Sequence, residues 1–142
     1  MLLADVNVLL YAYWDGAEDH ARYRKWLEEV ATSDEAFGLS ELVLSSFVRI
    51  STSPRVFSPP AGLDQSLTFC ERLRARPNCV TVSPGPRHWE IFRRLCTSVR
   101  AKGNLVADAY LAALAIESGC TWVTTDRDYS RFPGLRTLHP LG

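Results

Sequence analysis

The sequence predicts an α/β fold in one domain, residues 1–142, with a mainly parallel sheet covered by helices on both faces. Short apolar segments of strand length alternate with longer segments whose apolar residues recur at helical spacing. The length of 142 residues is near the commonest domain size, and 46% apolar with 23% charged residues is typical of globular proteins. No internal repeat or interdomain linker divides the chain.

The first half of the chain predicts two strands and four helices. Apolar residues at helical spacing among charges predict that the second helix is amphipathic. Ser40 is the expected N-cap of the third helix, Glu41 lies in its first turn, and Ser53-Pro54 ends it. In order, the elements are a strand over 2–5, a helix that follows Asp5, a helix over 19–31, a strand over 36–39, the helix after Ser40, and, beyond a loop over 54–62, a helix over 63–74.

The second half predicts three strands and two helices. A Pro84-Gly85-Pro86 turn leads into the first helix, and Asn104 and Gly119 are the expected caps of the second, whose alanines suit close packing. In order, the elements are a strand over 79–82, a helix over 87–100, a helix from Asn104 to Gly119, a strand over 121–125 and an edge strand within 135–138. Strands separated by helices in this order are typical of a parallel sheet.

No feature of the sequence predicts membrane insertion, secretion or thiol chemistry. No apolar run approaches the ~20 residues that a membrane span needs, and the N-terminus lacks the basic region of a signal peptide. The four cysteines form no Cys-x-x-Cys pair, and the three histidines fall in expected surface or terminal segments without clustering. We therefore expect a cytoplasmic protein with reduced cysteines.

Charge is divided unevenly along the chain, although the formal net charge is zero. Residues 1–71 hold eleven acidic and five basic residues, a net charge of −6, and residues 72–142 hold the reverse, a net charge of +6. Eight basic residues lie between Arg72 and Lys102 against the single acidic Glu90. This cluster is either a solvated helix face or a track for nucleic-acid phosphates, with Arg87, Arg93 and Arg94 as candidate contacts.

Four acidic residues are predicted to meet at one edge of the sheet. Asp5 and Asp126 each follow an apolar strand, and Glu41 and Asp108 each lie near the start of a helix. Taken alone, each is equally well explained as a turn former, a helix cap or a first-turn charge. Together they map to the carboxyl ends of the strands, where open α/β sheets bind ligands. Carboxylates gathered there resist ionising together unless a cation lies between them.

A cluster of this kind suits Mg²⁺ or Mn²⁺, which prefer oxygen ligands. Such ions activate water and neutralise charge on a phosphoryl group. Phosphodiester hydrolysis agrees with the acidic residues, with the Arg-rich segment beside them, and with the absence of a Ser/His or Cys/His nucleophile. Asn7 and Thr124 would then support the site by hydrogen bonding.

Four short motifs surround the acidic residues. They are Asp5-Val6-Asn7 near the start, Ser40-Glu41 opening a helix, Asp108-Ala109 in an alanine-rich helix, and Thr124-Thr125-Asp126-Arg127-Asp128-Tyr129 after a strand. Together they resemble the PIN-domain ribonucleases, and more narrowly the VapC toxins of bacterial toxin–antitoxin modules. They occur in the family's order, over essentially the whole chain and at the family's length.

The resemblance implies an α/β/α sandwich, a homodimer that can enter a larger toxin–antitoxin assembly, an Mg²⁺- or Mn²⁺-dependent endoribonuclease, and inhibition by a VapB antitoxin. Its acidic quartet matches Asp5, Glu41, Asp108 and Asp126. We expect Asp5, Asp108 and Asp126 to hold the ion and Glu41 to position the ion or the attacking water. By the same resemblance, further polar positions match Asn7, Thr124 and Asp128, and a basic position matches Arg49.

Three other functions remain open from the sequence alone. One is a PIN-like module that binds RNA or protein without cutting it. A second is a phospho-accepting receiver-like domain, which would need a lysine after its last core strand, whereas this chain has only Lys25 and Lys102. A third is a metal-dependent phosphatase for small molecules, which would not need the Arg cluster.

Overall fold

The computed structural model describes residues 1–142, and at its centre five short strands form one sheet. The strands are β1 (Leu2–Ala4), β2 (Phe37–Leu39), β3 (Cys79–Thr81), β4 (Thr121–Val123) and β5 (Thr137–Leu138). Their order is β3-β2-β1-β4-β5, and every pairing is parallel. The expected parallel sheet is confirmed, and each strand is one or two residues shorter than the apolar segment that predicted it.

Six α-helices connect the strands and cover the sheet. They are α1 (Val6–Tyr13), α2 (His20–Thr32), α3 (Glu41–Ser51), α4 (Leu63–Arg74), α5 (His88–Val99) and α6 (Asn104–Ser118). Helices α1 to α4 pack against one another, and α5 packs against α6. Crossovers between parallel strands are right-handed. The chain crosses the sheet in one direction from β1 to β3 and in the other direction from β3 to β4. Helices α1 to α4 and helices α5 and α6 therefore cover opposite faces of the sheet. The predicted α/β/α sandwich is confirmed.

The core lies where these helices meet the sheet. Leu3 and Trp122 on the central strands are fully buried, as is Phe47 on α3. Helix α6 presents four completely buried alanines, which allow its backbone to approach closely, as their small size predicts. They are Ala109, Ala112, Ala113 and Ala115. This close approach fixes the position of α6, and with it the position of Asp108.

The sheet contains a topological switch point between β1 and β4. From β1 the chain moves outward to β2 and β3, then returns to β4 and β5 on the other side of β1. The carboxyl ends of β1 and β4 therefore flank the crevice in which doubly wound sheets bind ligands. The backbone N–H of Asp5 donates to the carbonyl of Val123 at 2.9 Å, which joins the two strand ends directly.

Two local predictions are wrong. Asn104 is the first residue of α6, and Gly103 is its N-cap with φ of 62°, a left-handed conformation that favours glycine. His88 is 3% exposed, since its ring packs on Tyr110 and its Nε2 donates to the Tyr110 carbonyl at 2.9 Å. Ser40 is the N-cap of α3 as predicted, although its hydroxyl makes no capping hydrogen bond.

Two broad expectations agree with the structure. All four cysteines are free thiols, Cys70 and Cys120 being buried and Cys79 and Cys96 half-buried. None of the six helices combines the length and apolar character that crossing a membrane requires.

Glu117, near the end of α6, caps the start of α5 from outside that helix. Its Oε1 accepts a hydrogen bond from the backbone N–H of Gly85 at 2.7 Å, and its Oε2 accepts one from Arg87 at 2.9 Å. Although partial burial opposes ionisation, these hydrogen bonds and the nearby charge of His88 lower the pKa of Glu117. The carboxylate thus holds the N–H groups of the N-cap residue Arg87 and of the turn before it, both of which precede the first helical residue His88.

We expect Glu117→Ala to lower the free energy of unfolding by about 1–2 kcal/mol, because it leaves the N–H groups of Gly85 and Arg87 without their charged acceptor. Denaturation in urea measures this change. Glu71→Ala is the matched control, because Glu71 is exposed on α4, makes no ion pair or side-chain hydrogen bond, and should change stability by about 0.5 kcal/mol or less. Equal effects of the two substitutions would contradict a capping role for Glu117.

Candidate active site

Asp5 is the most buried carboxylate at the switch point, with 4% of its surface exposed. It follows β1 and is the N-cap of α1, where its Oδ1 accepts from the Val6 N–H at 2.7 Å. Its Oδ2 accepts from the Thr124 hydroxyl at 2.7 Å. Burial raises the pKa of Asp5 to about 6, against the opposing effect of these hydrogen bonds, and the charges of Asp108 and Asp126 raise it further.

Asp108, on the second turn of α6, is held by a tyrosine. The Tyr129 hydroxyl donates to Asp108 Oδ1 at 3.3 Å. Partial burial raises the pKa of Asp108, and so do the charges of Asp126 and Asp128, while the Tyr129 hydrogen bond lowers it. Burial and the nearby charges of Asp5 and Asp108 raise the pKa of Tyr129 far above its ordinary range. The phenol therefore stays protonated and remains a donor.

Asp126 and Asp128 follow β4. Asp126 is half-buried and is the N-cap of a short 3₁₀ helix, Arg127–Arg131, where its Oδ1 accepts from the Asp128 N–H at 2.9 Å. The Asp126 N–H donates in turn to the Thr124 hydroxyl at 3.0 Å. The Thr124 hydroxyl therefore links the Asp5 carboxylate, after β1, to the Asp126 backbone, after β4. Asp128 is exposed, and it is near enough to Asp108 for its charge to act on that carboxyl.

The structure does not bring Glu41 into the carboxylate group. Its side chain is 63% exposed, and its Oε2 lies 3.1 Å from Nη1 of Arg74 at the end of α4. Asp108 and Asp126 are the carboxylates whose charges raise the pKa of Asp5, and Glu41 is not among them. An exposed glutamate side chain can turn toward a nearby cation. The position of the Glu41 backbone beside β2 therefore does not determine where its carboxylate lies.

The other predicted polar and basic residues lie on three different helices, α1, α3 and α5. Asn7 is half-buried on α1 and makes no side-chain hydrogen bond, and Arg49 is exposed in the last turn of α3. Arg93 is paired with Glu90 at 2.8 Å, and Arg94 is exposed beside it.

Arg87 lies near the C-terminal end of α6, whereas Asp108 lies near the start of that helix. Its backbone is bonded to Glu117, nine residues beyond Asp108, which is about 13 Å along a helix. The contact between Arg87 and substrate stays a prediction, and the separation of Arg87 from the carboxylates does not support it.

The carboxylates fit a hard divalent cation that is bound partly through water. Asp5, Asp108 and Asp126 supply only oxygen donors, and each cause that raises the pKa of Asp5 is one that a cation would offset. No three carboxylate, imidazole or thiolate side chains are close enough to hold one ion directly. Mg²⁺ commonly binds through one or two carboxylates and several waters, and this arrangement suits that mode.

Comparison with known sequences decides the family. The PIN domain model matches residues 2–135. VapC ribonuclease Mb2897 of Mycobacterium bovis is 45% identical over 141 residues, covering 99% of this chain and 96% of that protein. Ribonuclease VapC25 of Mycobacterium tuberculosis is 39% identical over 140 residues, covering 99% of each. The chain belongs to the PIN-domain family, among the VapC ribonucleases.

Solved structures of VapC proteins share the fold of this VapC-family chain. VapBC-1 from nontypeable Haemophilus influenzae has a TM-score of 0.71 at 15% identity, covering 99% of this chain and 98% of that one. VapBC2 from Rickettsia felis, bound to a DNA fragment from its promoter, has a TM-score of 0.69 at 20% identity and covers 96% of both chains. At these identities the likeness concerns the fold alone.

Sequence reasoning missed one residue of the site, Tyr129. It belongs to the segment that carries Asp126 and Asp128, but its link to Asp108 joins positions 21 residues apart. Its 2% exposure indicates a core residue, and only the fold shows that its hydroxyl reaches the carboxylate group.

We expect Thr124→Val to destabilise the VapC-family chain by about 2 kcal/mol, because it leaves Oδ2 of Asp5 and the Asp126 N–H without a hydrogen-bond partner. Urea denaturation measures the loss. Thr121→Val, at the first residue of β4, is the matched control, since the Thr121 hydroxyl makes no hydrogen bond with the chain, and it should be nearly neutral. A Thr124→Val protein as stable as this control would show that the hydroxyl bridge does not stabilise the fold.

Proposed function

We propose that this VapC-family chain, one PIN domain over residues 1–142, is an Mg²⁺- or Mn²⁺-dependent endoribonuclease. It acts in the cytoplasm as the toxin of a toxin–antitoxin pair. One observation carries the catalytic part of the proposal: Asp5 is buried at the switch point beside Asp108 and Asp126, with its pKa raised to about 6. A buried carboxylate with two acidic neighbours is unfavourable for the protein alone and favourable for binding a cation.

Each residue of the group has its own task. Asp5, Asp108 and Asp126 hold the ion directly or through water. Thr124 fixes the orientation of Asp5 by its 2.7 Å hydrogen bond, and Tyr129 does the same for Asp108 at 3.3 Å. When bound, Mg²⁺ or Mn²⁺ supplies Lewis acidity that lowers the pKa of water and offsets the charge that develops on a phosphoryl group.

Glu41 has a conditional role in this proposal. It positions substrate or the attacking water only after its carboxylate leaves Arg74, 3.1 Å away. The pair is exposed, so its separation costs about 1 kcal/mol or less and does not prevent such a movement. Asn7, on the first turn of α1, is free to donate to RNA because its side chain has no partner within the chain.

Relatives support the substrate and the partners. Curated relatives at 45% and 39% identity are named ribonucleases, and the structures that share the fold include toxin–antitoxin complexes. M. tuberculosis VapC20, described as a Sarcin-Ricin loop cleaving toxin, has a TM-score of 0.64 at 15% identity. We propose RNA as the substrate, a VapB-like antitoxin as the inhibitor, and a homodimer as the toxin's own assembly.

Single-turnover cleavage of a folded RNA tests this function. The purified protein is treated with EDTA, and Mg²⁺ or Mn²⁺ is then restored. We expect no cleavage in EDTA, internal cuts after either metal is added, and loss of those cuts when the co-expressed antitoxin is bound. Binding of RNA without cleavage at any metal concentration would instead support a catalytically silent PIN-like module.

A further inference from the structure

A polar cavity of about 510 Å³ opens beside the carboxylate group, between the end of β4, the 3₁₀ helix and the C-terminal turn. Thr124 and Asp126 line it, so the cavity and the site share two residues. Only one of its nine lining residues is hydrophobic, so the cavity is not a packing void in the apolar core. Its volume lies in the range of pockets that bind small organic groups, about 300–1,000 Å³.

Several hydrogen-bonding groups at this cavity are free of partners within the chain. The guanidinium of Arg127 forms no ion pair or hydrogen bond, although Asp126 and Asp128 are its neighbours in sequence. The hydroxyls of Thr125 and Thr137 are likewise unengaged. His139 accepts a hydrogen bond from the Leu141 N–H at its Nδ1, at 3.1 Å, so its Nε2 carries a proton and is free to donate. The cavity thus offers one cation and three neutral donors.

The charges around the cavity suit a nucleotide next to the scissile bond. Asp126 lies on the side of the carboxylate group, and Arg127 adds the positive charge of the cavity. An RNA strand that enters the acidic site brings a second phosphate with its neighbouring nucleotide, and the carboxylates repel that phosphate. A guanidinium at the adjoining cavity offsets this repulsion and matches phosphate geometry.

The neutral donors suit the base and sugar of the same nucleotide. Proteins recognise single-stranded RNA by hydrogen bonds to the edges of splayed bases and by stacking on aromatic or imidazole planes. His139 is exposed, and one side of its ring approaches Tyr23 with ring centroids 6.4 Å apart. Its imidazole and the Thr137 hydroxyl can therefore contact a base edge, while the hydroxyl of Thr125 is available to the sugar.

We propose that this cavity is the subsite for the nucleotide that flanks the scissile phosphate. Arg127 binds a backbone phosphate there, and His139 with Thr137 sets the preference for the base. The proposal rests on the ribonuclease function proposed above, and it assigns to the C-terminal segment a role in choosing the cleavage site.

Binding to RNA without cleavage tests the subsite. In an Asp108→Asn background, fluorescence anisotropy measures the affinity for short single-stranded RNAs that differ at one base. We expect Arg127→Gln to lower the affinity for every one of these RNAs by about tenfold. The salt dependence of binding should fall by an amount that corresponds to about one phosphate contact. His139→Gln should instead reduce the differences in affinity between RNAs that carry different bases at the varied position. Arg131→Gln, in the same 3₁₀ helix but outside the cavity, is the control of equal charge and should bind as the parent does.

Cleavage mapping separates this proposal from the proposed function. In the otherwise unaltered protein, sequencing of the cut ends should show weaker base preference for His139→Gln at the position next to the cut. Unchanged affinity and unchanged cut sites in both variants of a protein that cleaves RNA would overturn the subsite alone. Absence of metal-dependent cleavage by the unaltered protein would overturn the proposed function and the subsite with it. Loss of antitoxin binding with intact RNA binding would assign the cavity to a peptide and overturn the proposal.

Discussion

Replacement of Asp108 with Asn is expected to lower the rate of metal-dependent RNA cleavage by about 10²–10³-fold while the fold stays intact. Asn keeps an oxygen that can accept the Tyr129 hydrogen bond at 3.3 Å, so the local packing is preserved. It removes one negative charge from the group that is proposed to hold the ion. Single-turnover cleavage at saturating protein measures the change, and circular dichroism checks the fold.

The control for this experiment is Asp34→Asn. Asp34 is exposed in the connection between α2 and β2 and makes no ion pair or side-chain hydrogen bond. Its replacement removes the same charge from the chain and should leave cleavage unchanged. Cleavage by the Asp108→Asn protein at the rate of the Asp34→Asn protein, from preparations made side by side, would rule out this carboxylate as a functional group.

Replacement of Asp5 with Asn is expected to stabilise the metal-free protein, although it abolishes cleavage. Burial raises the pKa of Asp5 to about 6 in the folded state, against an ordinary value of ~3.9 in the unfolded chain. The folded protein therefore holds this proton more tightly, and stability is lost as pH rises from about 4 through about 6. Two pKa units correspond to about 3 kcal/mol, which is the full loss of folding stability that ionised Asp5 causes above pH 7.

Urea denaturation in EDTA measures this effect at two pH values. We expect the free energy of unfolding of Asp5→Asn to be higher than that of the unaltered protein by about 3 kcal/mol at pH 7.5. At pH 4.5 the difference should be only about 1 kcal/mol, because the Asp5 carboxyl of the unfolded chain is itself partly protonated. Added Mn²⁺ should stabilise the unaltered protein and not the variant, because only the native state with Asp5 binds the ion. A variant that is less stable than the unaltered protein at pH 7.5 would show that the Asp5 carboxylate does not oppose folding.

The fold and the positions of two carboxylates could be predicted because strand ends determine them. An apolar strand followed by an aspartate places that aspartate at the carboxyl edge of a parallel sheet, whatever the details of packing. Asp5 and Asp126 follow this rule, and the switch point then sets them side by side. Asp108 could be predicted as well, since the small alanines around it require α6 to lie close to the sheet.

The remaining features depend on contacts between distant positions, which periodicity does not reveal. Glu41 and Arg74 are 33 residues apart, and their pairing turns a predicted member of the site toward α4. Tyr129 joins the site through a hydroxyl at the end of an otherwise buried ring. Glu117 reaches from α6 to the turn that leads into α5. Each of these side chains has an ordinary local role in the sequence and acquires its contact only in the folded chain.

Direct titration of Mn²⁺ tests the central claim most simply, because it does not require the RNA substrate to be known. Electron paramagnetic resonance of free Mn²⁺ at pH 7.5 gives the number of bound ions and their affinity for the unaltered protein, Asp34→Asn and an Asp5→Asn/Asp108→Asn double variant. We expect one ion per chain for the first two proteins and at least a tenfold weaker affinity for the double variant. Equal Mn²⁺ binding by all three would show that the carboxylates at the switch point do not hold the ion.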